Sequence, residues 1–201
     1  MESLSQTILS ECEKLPKGSV ITAKDFLHLA NRAAVDKSLS RLVLDEKMIR
    51  VCRGLYVCPI YTSFGSHPPS TESVLQSIAS RFHVSIVTTG TSEANILGLS
   101  TQVPIREVFL TSGLPRILRL GALSIELKHG QGWQLALGMT LSGRIVRALG
   151  SMGPQNAPQA WESLQARNDV SISDEDRRAI ASLRPLMPGW LAVIFNGIRG
   201  M

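Results

Sequence analysis

Between Thr22 and Cys58 the chain reads TAKDFLHLANRAAVDKSLSRLVLDEKMIRVCRGLYVC, and the spacing of its apolar residues changes along the way. Thr22 followed by Asp25 is a capping-box arrangement that opens a helix, because each side chain can satisfy a backbone N–H at the helix start. That helix is brief, with Phe26, Leu27, Leu29 and Ala30 as its apolar residues and Asn31 at its end. A second helix is predicted from Ala33 to about Glu46. Val35, Leu39, Leu42 and Val43 fall on one of its faces, and Lys37, Ser40 and Arg41 on the other. Two short helices joined by so tight a turn form a helix-turn-helix. After Lys47 and Met48 the period drops to two. Ile49 to Cys52 and Leu55 to Cys58 read as strands, and Arg53-Gly54 between them is a hairpin signal.

Upstream, Leu4, Ile8, Leu9, Cys12 and Leu15 recur at helical spacing, and Pro16-Lys17-Gly18 stops that helix. Ser19-Val20-Ile21 has room for one short strand. The expected order is therefore helix, strand, helix, turn, helix, hairpin, which is the element order of a winged helix-turn-helix over residues 1–60. Pro59 to Pro69 reads as a linker or ordered crossing segment.

Residues 61–201 read as a second, mixed α/β domain with a helical C-terminus, so the fold class expected is α+β. Helices are predicted at Thr71 to Phe82, Thr91 to Leu99, Leu135 to Leu149, Pro158 to Arg167, Ser173 to Leu183 and Gly189 to Ile198. Strands are predicted at Val84 to Val87, Glu107 to Leu110, Arg116 to Leu120 and Leu123 to Lys128, with Gly121-Ala122 as a turn and Gly150 to Pro158 as a loop. Ser173 with Asp176 is a second capping box.

The formal net charge is +5, with 44% hydrophobic and 18% charged residues. That composition fits a folded chain rather than a disordered one. The basic balance suits a nucleic-acid partner but is shared by many proteins that have none. Cys12, Cys52 and Cys58 make no disulfide framework, and the four His residues lie too far apart for a zinc motif. The opening segment has no apolar run typical of a secretory signal, and no stretch approaches the ~20 apolar residues of a membrane span. A cytoplasmic setting without membrane association is expected.

A recognition helix must hold one face against its own domain and offer the other to the major groove. Lys37 and Arg41 are four residues apart, one turn above another, with Ser40 beside them. Ala33 and Ala34 keep the helix start narrow, and Arg32 stands before it within reach of phosphate. Arg fits guanine or phosphate with two parallel hydrogen bonds, whereas Lys acts as a point charge. Lys47, Arg50 and Arg53 supply cations from the wing. These seven residues are the candidate DNA contacts. Asp36 opposes that role unless it pairs with Arg32 or Lys37, or accepts from a cytosine amino group. Leu44 projects to the open side, where cover from the second domain or a dimer mate is expected.

A competing reading places an anion site in Thr88-Thr89-Gly90-Thr91-Ser92-Glu93, a hydroxyl-rich turn opening a helix. It lacks GxxxxGK[ST] and has no Lys nearby, and a plain helix cap explains Thr91 or Ser92 equally. No nucleophile, base and acid stand at a recognisable spacing, so no catalytic residue, cofactor or metal site is assigned. A nucleotide-binding or enzymatic use of this turn, and a protein-interaction module without DNA binding, are the alternatives.

Thr22 to Phe26, Asn31 to Leu42 and Ile49 to Tyr56 together resemble the winged-helix start of AbiEi-type antitoxins, and within that set the DUF6088 group. Ser92-Glu93-Ala94-Asn95-Ile96-Leu97-Gly98-Leu99 through Pro104 is similar to the same group. So are Val108 to Gly113 and Ile125-Glu126-Leu127-Lys128-His129. The resemblance spans about Leu4 to Leu149. It implies an antitoxin that represses its own operon through operator DNA and counteracts a nucleotidyltransferase toxin of AbiEii type. Because repressors usually read two half-sites, a homodimer is expected. By position, Arg32, Lys37, Ser40 and Arg41 would face DNA, with Arg50 and Arg53 on the wing. The chain departs from the group near positions 44 to 48, where small or basic residues are common but Leu44 and Met48 here flank Asp45-Glu46.

Overall fold

The computed structural model describes residues 3–63, 65–102 and 106–196. Its helices are α1 (Leu4–Glu13), α2 (Arg32–Leu44), α3 (Thr71–Phe82), α4 (Gly90–Ile96), α5 (Gly132–Leu135), α6 (Leu141–Gln165), α7 (Asp174–Leu183) and α8 (Gly189–Ile194). Its strands are β1 (Ile49–Cys52), β2 (Leu55–Val57), β3 (Ile60–Thr62), β4 (Gly65–His67), β5 (Ile86–Thr88), β6 (Glu107–Thr111), β7 (Arg116–Leu120) and β8 (Leu123–His129). The chain is thus mixed α and β, and no described helix is long and apolar enough to cross a membrane.

Two compact units emerge. One comprises the residues up to Val84 together with Arg116–Glu126; the other comprises Ser85–Pro115 with the residues from Leu127 on. The first unit therefore takes in more than residues 1–60, because α3, β7 and the first part of β8 belong to it.

In the first unit, Ser3 and Gln6 cap α1 reciprocally: the Gln6 N–H donates to Ser3 Oγ at 3.3 Å and the Ser3 N–H to Gln6 Oε1 at 2.8 Å. The Thr22–Asp25 box is present, with the Thr22 N–H donating to Asp25 Oδ2 at 2.7 Å. What it opens is a single 3-10 turn, Ala23–Phe26, rather than a longer helix. Asn31 then caps α2, its side-chain oxygen accepting from the Ala34 N–H at 2.9 Å. Helix α2 ends at Leu44, earlier than its pattern suggested. Glu46 adopts a left-handed φ of 56°, and the Lys47 and Met48 N–H groups turn back to the Leu42 carbonyl.

Val35, Leu39 and Leu42 of α2 are buried with Ile8, Cys12, Ile21, Phe26, Met48 and Tyr56 in one core. Full burial of each such aliphatic side chain contributes about 1.5–3 kcal/mol. Strands β1 and β2 pair antiparallel, with Gly54 at φ 78° in their turn. The strand expected at Ser19–Ile21 is a single bridge from Ile21 to Tyr56. The segment read as a linker holds an antiparallel hairpin, β3 with β4, pairing Ile60 with His67 and Thr62 with Gly65. Helix α3 occupies its predicted span and is capped by Ser70.

In the second unit, β5 pairs antiparallel with β6, placing Ile86 opposite Thr111. Three expectations are corrected here. Residues 135–149 do not form one helix, because Gly138 at φ 53° breaks the run and Thr140 caps α6 anew. Residues 150–158 are not a loop but helical on either side of Gly153, whose φ of 77° and ψ of 170° kink the chain. Pro154 sits in the first turn after that kink, where its missing N–H costs nothing. Helix α8 stops at Ile194, and positions 197 and 198 of its expected span lie outside the described residues.

Helices α4, α6, α7 and α8 share a core that includes Ile145, Leu149, Trp161, Leu164, Ile180 and Phe195. Trp161 meets Phe195 edge to face at 5.2 Å.

Candidate nucleic-acid interface

The first unit exposes every cation proposed from sequence. Arg32, Lys37, Ser40 and Arg41 are exposed on α2 while Val35, Leu39 and Leu42 are buried. The two faces follow from the 3.6-residue repeat acting on this order of residues. Arg50 is exposed on β1, and Arg53 at the β1–β2 turn.

Asp36 pairs with Arg32, as Nε lies 2.8 Å from Oδ2. Both side chains are about half exposed, at 58% and 48%, so the pair is screened by water. The Ser40 hydroxyl donates to the Asp36 carbonyl one turn back at 2.9 Å, leaving its lone pairs for a partner. Leu44 is 83% exposed.

The seven candidates do not all gather in one place. Arg32 and Arg53 line a shared groove of about 620 Å³, together with Lys24, Arg81, Phe82 and Arg116. Lys47 lines a different cleft, near Cys12 and Cys58. Those two thiols share a hydrogen bond that pushes Cys12 up and draws Cys58 down; Cys12, Cys52 and Cys58 are all unbridged.

Lys24, Arg81 and Arg116 were missed in the sequence. Lys24 lay inside a capping box, where its neighbours carried the signal. Arg116 arrives on a strand far along the chain, and no local pattern announces that return. Arg81 is anchored from α3 to the 3-10 turn. Its Nη2 lies 2.5 Å from Asp25 Oδ1 and 3.1 Å from Thr22 Oγ1, and its Nη1 donates to the Val20 carbonyl at 3.3 Å. The Arg116 guanidinium stands 5.7 Å from the centre of the Phe82 ring. Burial pushes the Cys52 thiol up, against the pull of Arg116 beside it.

The competing turn, in the second unit, is arranged for packing. Thr89 caps α4, and its hydroxyl also bonds those of Thr91 and Ser92. A Cβ at Gly90 would sit 2.2 Å from the Arg147 carbonyl oxygen, so only glycine lets α4 approach α6 this closely.

Glu93 is fully buried, bound by Arg144 Nε at 2.8 Å, by Arg147 Nη2 at 3.0 Å and by the Thr88 hydroxyl. Arg147 is also buried, and its Nη1 donates to the carbonyls of Gln134 at 3.2 Å and Gly138 at 2.6 Å. Burial pushes the Glu93 carboxyl up. The hydrogen bonds from Thr88, Arg144 and Arg147 outweigh it and hold the group below its usual range. These contacts occupy both carboxylate oxygens and tie α4 to α6. Among the described residues no cluster of three or more His, Cys, Asp or Glu is placed to hold a metal ion.

The molecule so described is a two-unit α+β protein whose first unit displays cations on one helix and one hairpin. The chain belongs to the family described as "Family of unknown function (DUF6088)", which it matches over residues 7–167. No curated protein and no solved structure matches it. The family match ends before α7 and α8, yet Ile180 and Leu183 of α7, Leu191 of α8 and Phe195 just after it belong to the core of the second unit.

Proposed function

We propose that the protein is an antitoxin and transcriptional autorepressor whose first unit acts as a winged helix-turn-helix on operator DNA. One observation carries the reading. Helix α2 holds Val35, Leu39 and Leu42 in the core while Arg32, Lys37, Ser40 and Arg41 stand outside, next in sequence to a hairpin bearing Arg50 and Arg53. A helix entering a major groove needs this division of faces. The likeness to AbiEi-type antitoxins adds the second role, neutralisation of a nucleotidyltransferase toxin of AbiEii type. A repressor of this kind usually reads two half-sites, so the reading includes a homodimer.

The test is binding of the full-length chain to the DNA upstream of its own gene. Lys37→Ala with Arg41→Ala removes two contacts worth about 1–3 kcal/mol each, so affinity falls by roughly 30-fold or more. Thermal unfolding stays unchanged, since both side chains are exposed. Equal gel-shift affinity for the variant and the wild type would refute the DNA face. Failure of the chain to relieve growth arrest by a co-expressed adjacent nucleotidyltransferase would refute the antitoxin role.

A further inference from the structure

The groove in the first unit contains more charge than the helix face accounts for. Five cations line it: Lys24, Arg32, Arg53, Arg81 and Arg116. Asp25 pairs with Arg81, and Asp36 with Arg32. Beyond those two pairs, Lys24 and Arg53 keep the groove positive. Its cations come from five separate elements, the 3-10 turn, α2, the β1–β2 turn, α3 and β7, which the fold has brought to one depression.

Two of the guanidiniums are held in place. Arg81 is fixed by three oxygens of the 3-10 turn and the residues before it, and Arg116 is stacked over Phe82. A guanidinium already oriented loses less freedom when it takes an oxyanion, and its fork matches phosphate oxygens. Arg32 and Arg53 belong both to this groove and to the proposed DNA face, so the two surfaces are continuous.

We infer that this groove grips the phosphate backbone of duplex DNA beside the segment read by α2, with Lys24 and Arg116 as its added contacts. The inference rests on the DNA-binding reading above and extends it to residues that no helix-turn-helix pattern includes. Duplex DNA presents one negative charge per ~1.7 Å of axis, so a strand passing α2 continues to meet cations in the groove. Because the contact is with backbone, it adds affinity without sequence preference.

The experiment is fluorescence anisotropy with the full-length chain over a series of salt concentrations. It uses the upstream duplex and an unrelated duplex of equal length. Lys24→Ala with Arg116→Ala is expected to weaken binding to both by about tenfold at low salt. It should also flatten the slope of log affinity against log salt by about two units, near 0.9 per phosphate lost. Arg116→Lys restores part of the loss. Lys24→Glu alone, at an exposed position that leaves the Phe82 stack intact, gives the same direction should the double variant unfold.

An unchanged affinity and slope in these variants, while Lys37→Ala with Arg41→Ala weakens specific binding by roughly 30-fold or more, overturns the groove and leaves the DNA reading standing. Absence of duplex binding by the wild type at low salt overturns both. Displacement of the duplex by micromolar ATP or pyrophosphate would make a free phosphate compound the occupant. Binding of poly-glutamate that is lost in the groove variants, with duplex binding intact, would make it an acidic protein segment. Either result overturns the inference.

Discussion

Each unit of this protein pairs an arginine with a carboxylate, and the two pairs have opposite surroundings. Arg32 and Asp36 meet at 2.8 Å on the outer face of α2, about half exposed. Arg147 and Glu93 meet at 3.0 Å with no exposure at either side chain. The chemistry is the same and the distances are nearly so, yet the consequences differ. Water and salt screen the first pair, which adds at most a small stability and keeps both groups free to exchange partners. The second pair has no water to fall back on. Each charge depends on the other and on the Thr88 hydroxyl, Arg144 and the Gln134 and Gly138 carbonyls. A surface meant to meet a polyanion benefits from the first arrangement, and a junction between helices from the second.

The largest test of this contrast is Glu93→Ala. It leaves Arg147 buried without its carboxylate and should cost about 3–5 kcal/mol, read by urea unfolding of the full chain. A cost below about 1 kcal/mol would mean that water reaches Arg147 freely and that the two pairs are alike. The matching change Arg147→Met should cost less, because it removes one buried charge and leaves Glu93 with Arg144 and the Thr88 hydroxyl.

Acid gives a gentler test of the same junction. The folded state holds Glu93 below its usual carboxylate range, so the unfolded chain takes up its proton first as pH falls. The stability due to this depressed value is fully present above the unfolded value of roughly 4.3 and is lost as pH falls through the folded one. Thermal melts from pH 6 downward should show the second unit weakening below about pH 4. Glu93→Gln, less stable at neutral pH, should show a flatter acid limb. Parallel curves for the two proteins would show that other carboxylates govern acid unfolding.

The two pairs also differ in how well the sequence foretold them. Asp36 follows Arg32 by four residues on one helix, and a partner at that spacing is expected from helical geometry alone. Glu93 and Arg147 are 54 positions apart. Local spacing says nothing about which acid a distant helix will cover. The same division runs through the fold. The span of α3 and the buried stripe of α2 were legible because each is a local repeat. The hairpin at residues 60–67 and the kinked α6 were not, because Pro and Gly mark both loops and the first turns of helices. Lys24 and Arg116 in the groove were hidden for the reason that hid Glu93: tertiary contacts brought them together.

The smallest expected effect falls on the exposed pair, and it separates two roles for Asp36. Asp36→Asn should change unfolding stability by no more than about 1 kcal/mol, since the pair is solvated and both partners rehydrate easily. Its effect on DNA should be larger than its effect on the fold. Losing one negative charge from a face that meets phosphates removes a repulsion and releases Arg32 for the backbone. Affinity for any duplex should therefore rise a few-fold at about 50 mM salt and converge with the wild type near 1 M, where charges are screened within ~3 Å. A carboxylate that instead accepts from a cytosine amino group would behave in the reverse sense. Asp36→Asn would then weaken binding to the upstream duplex while leaving an unrelated duplex unaffected or bound more tightly. The sign of the change on the specific sequence, set against the sign on the unrelated one, decides whether Asp36 only restrains Arg32 or reads a base.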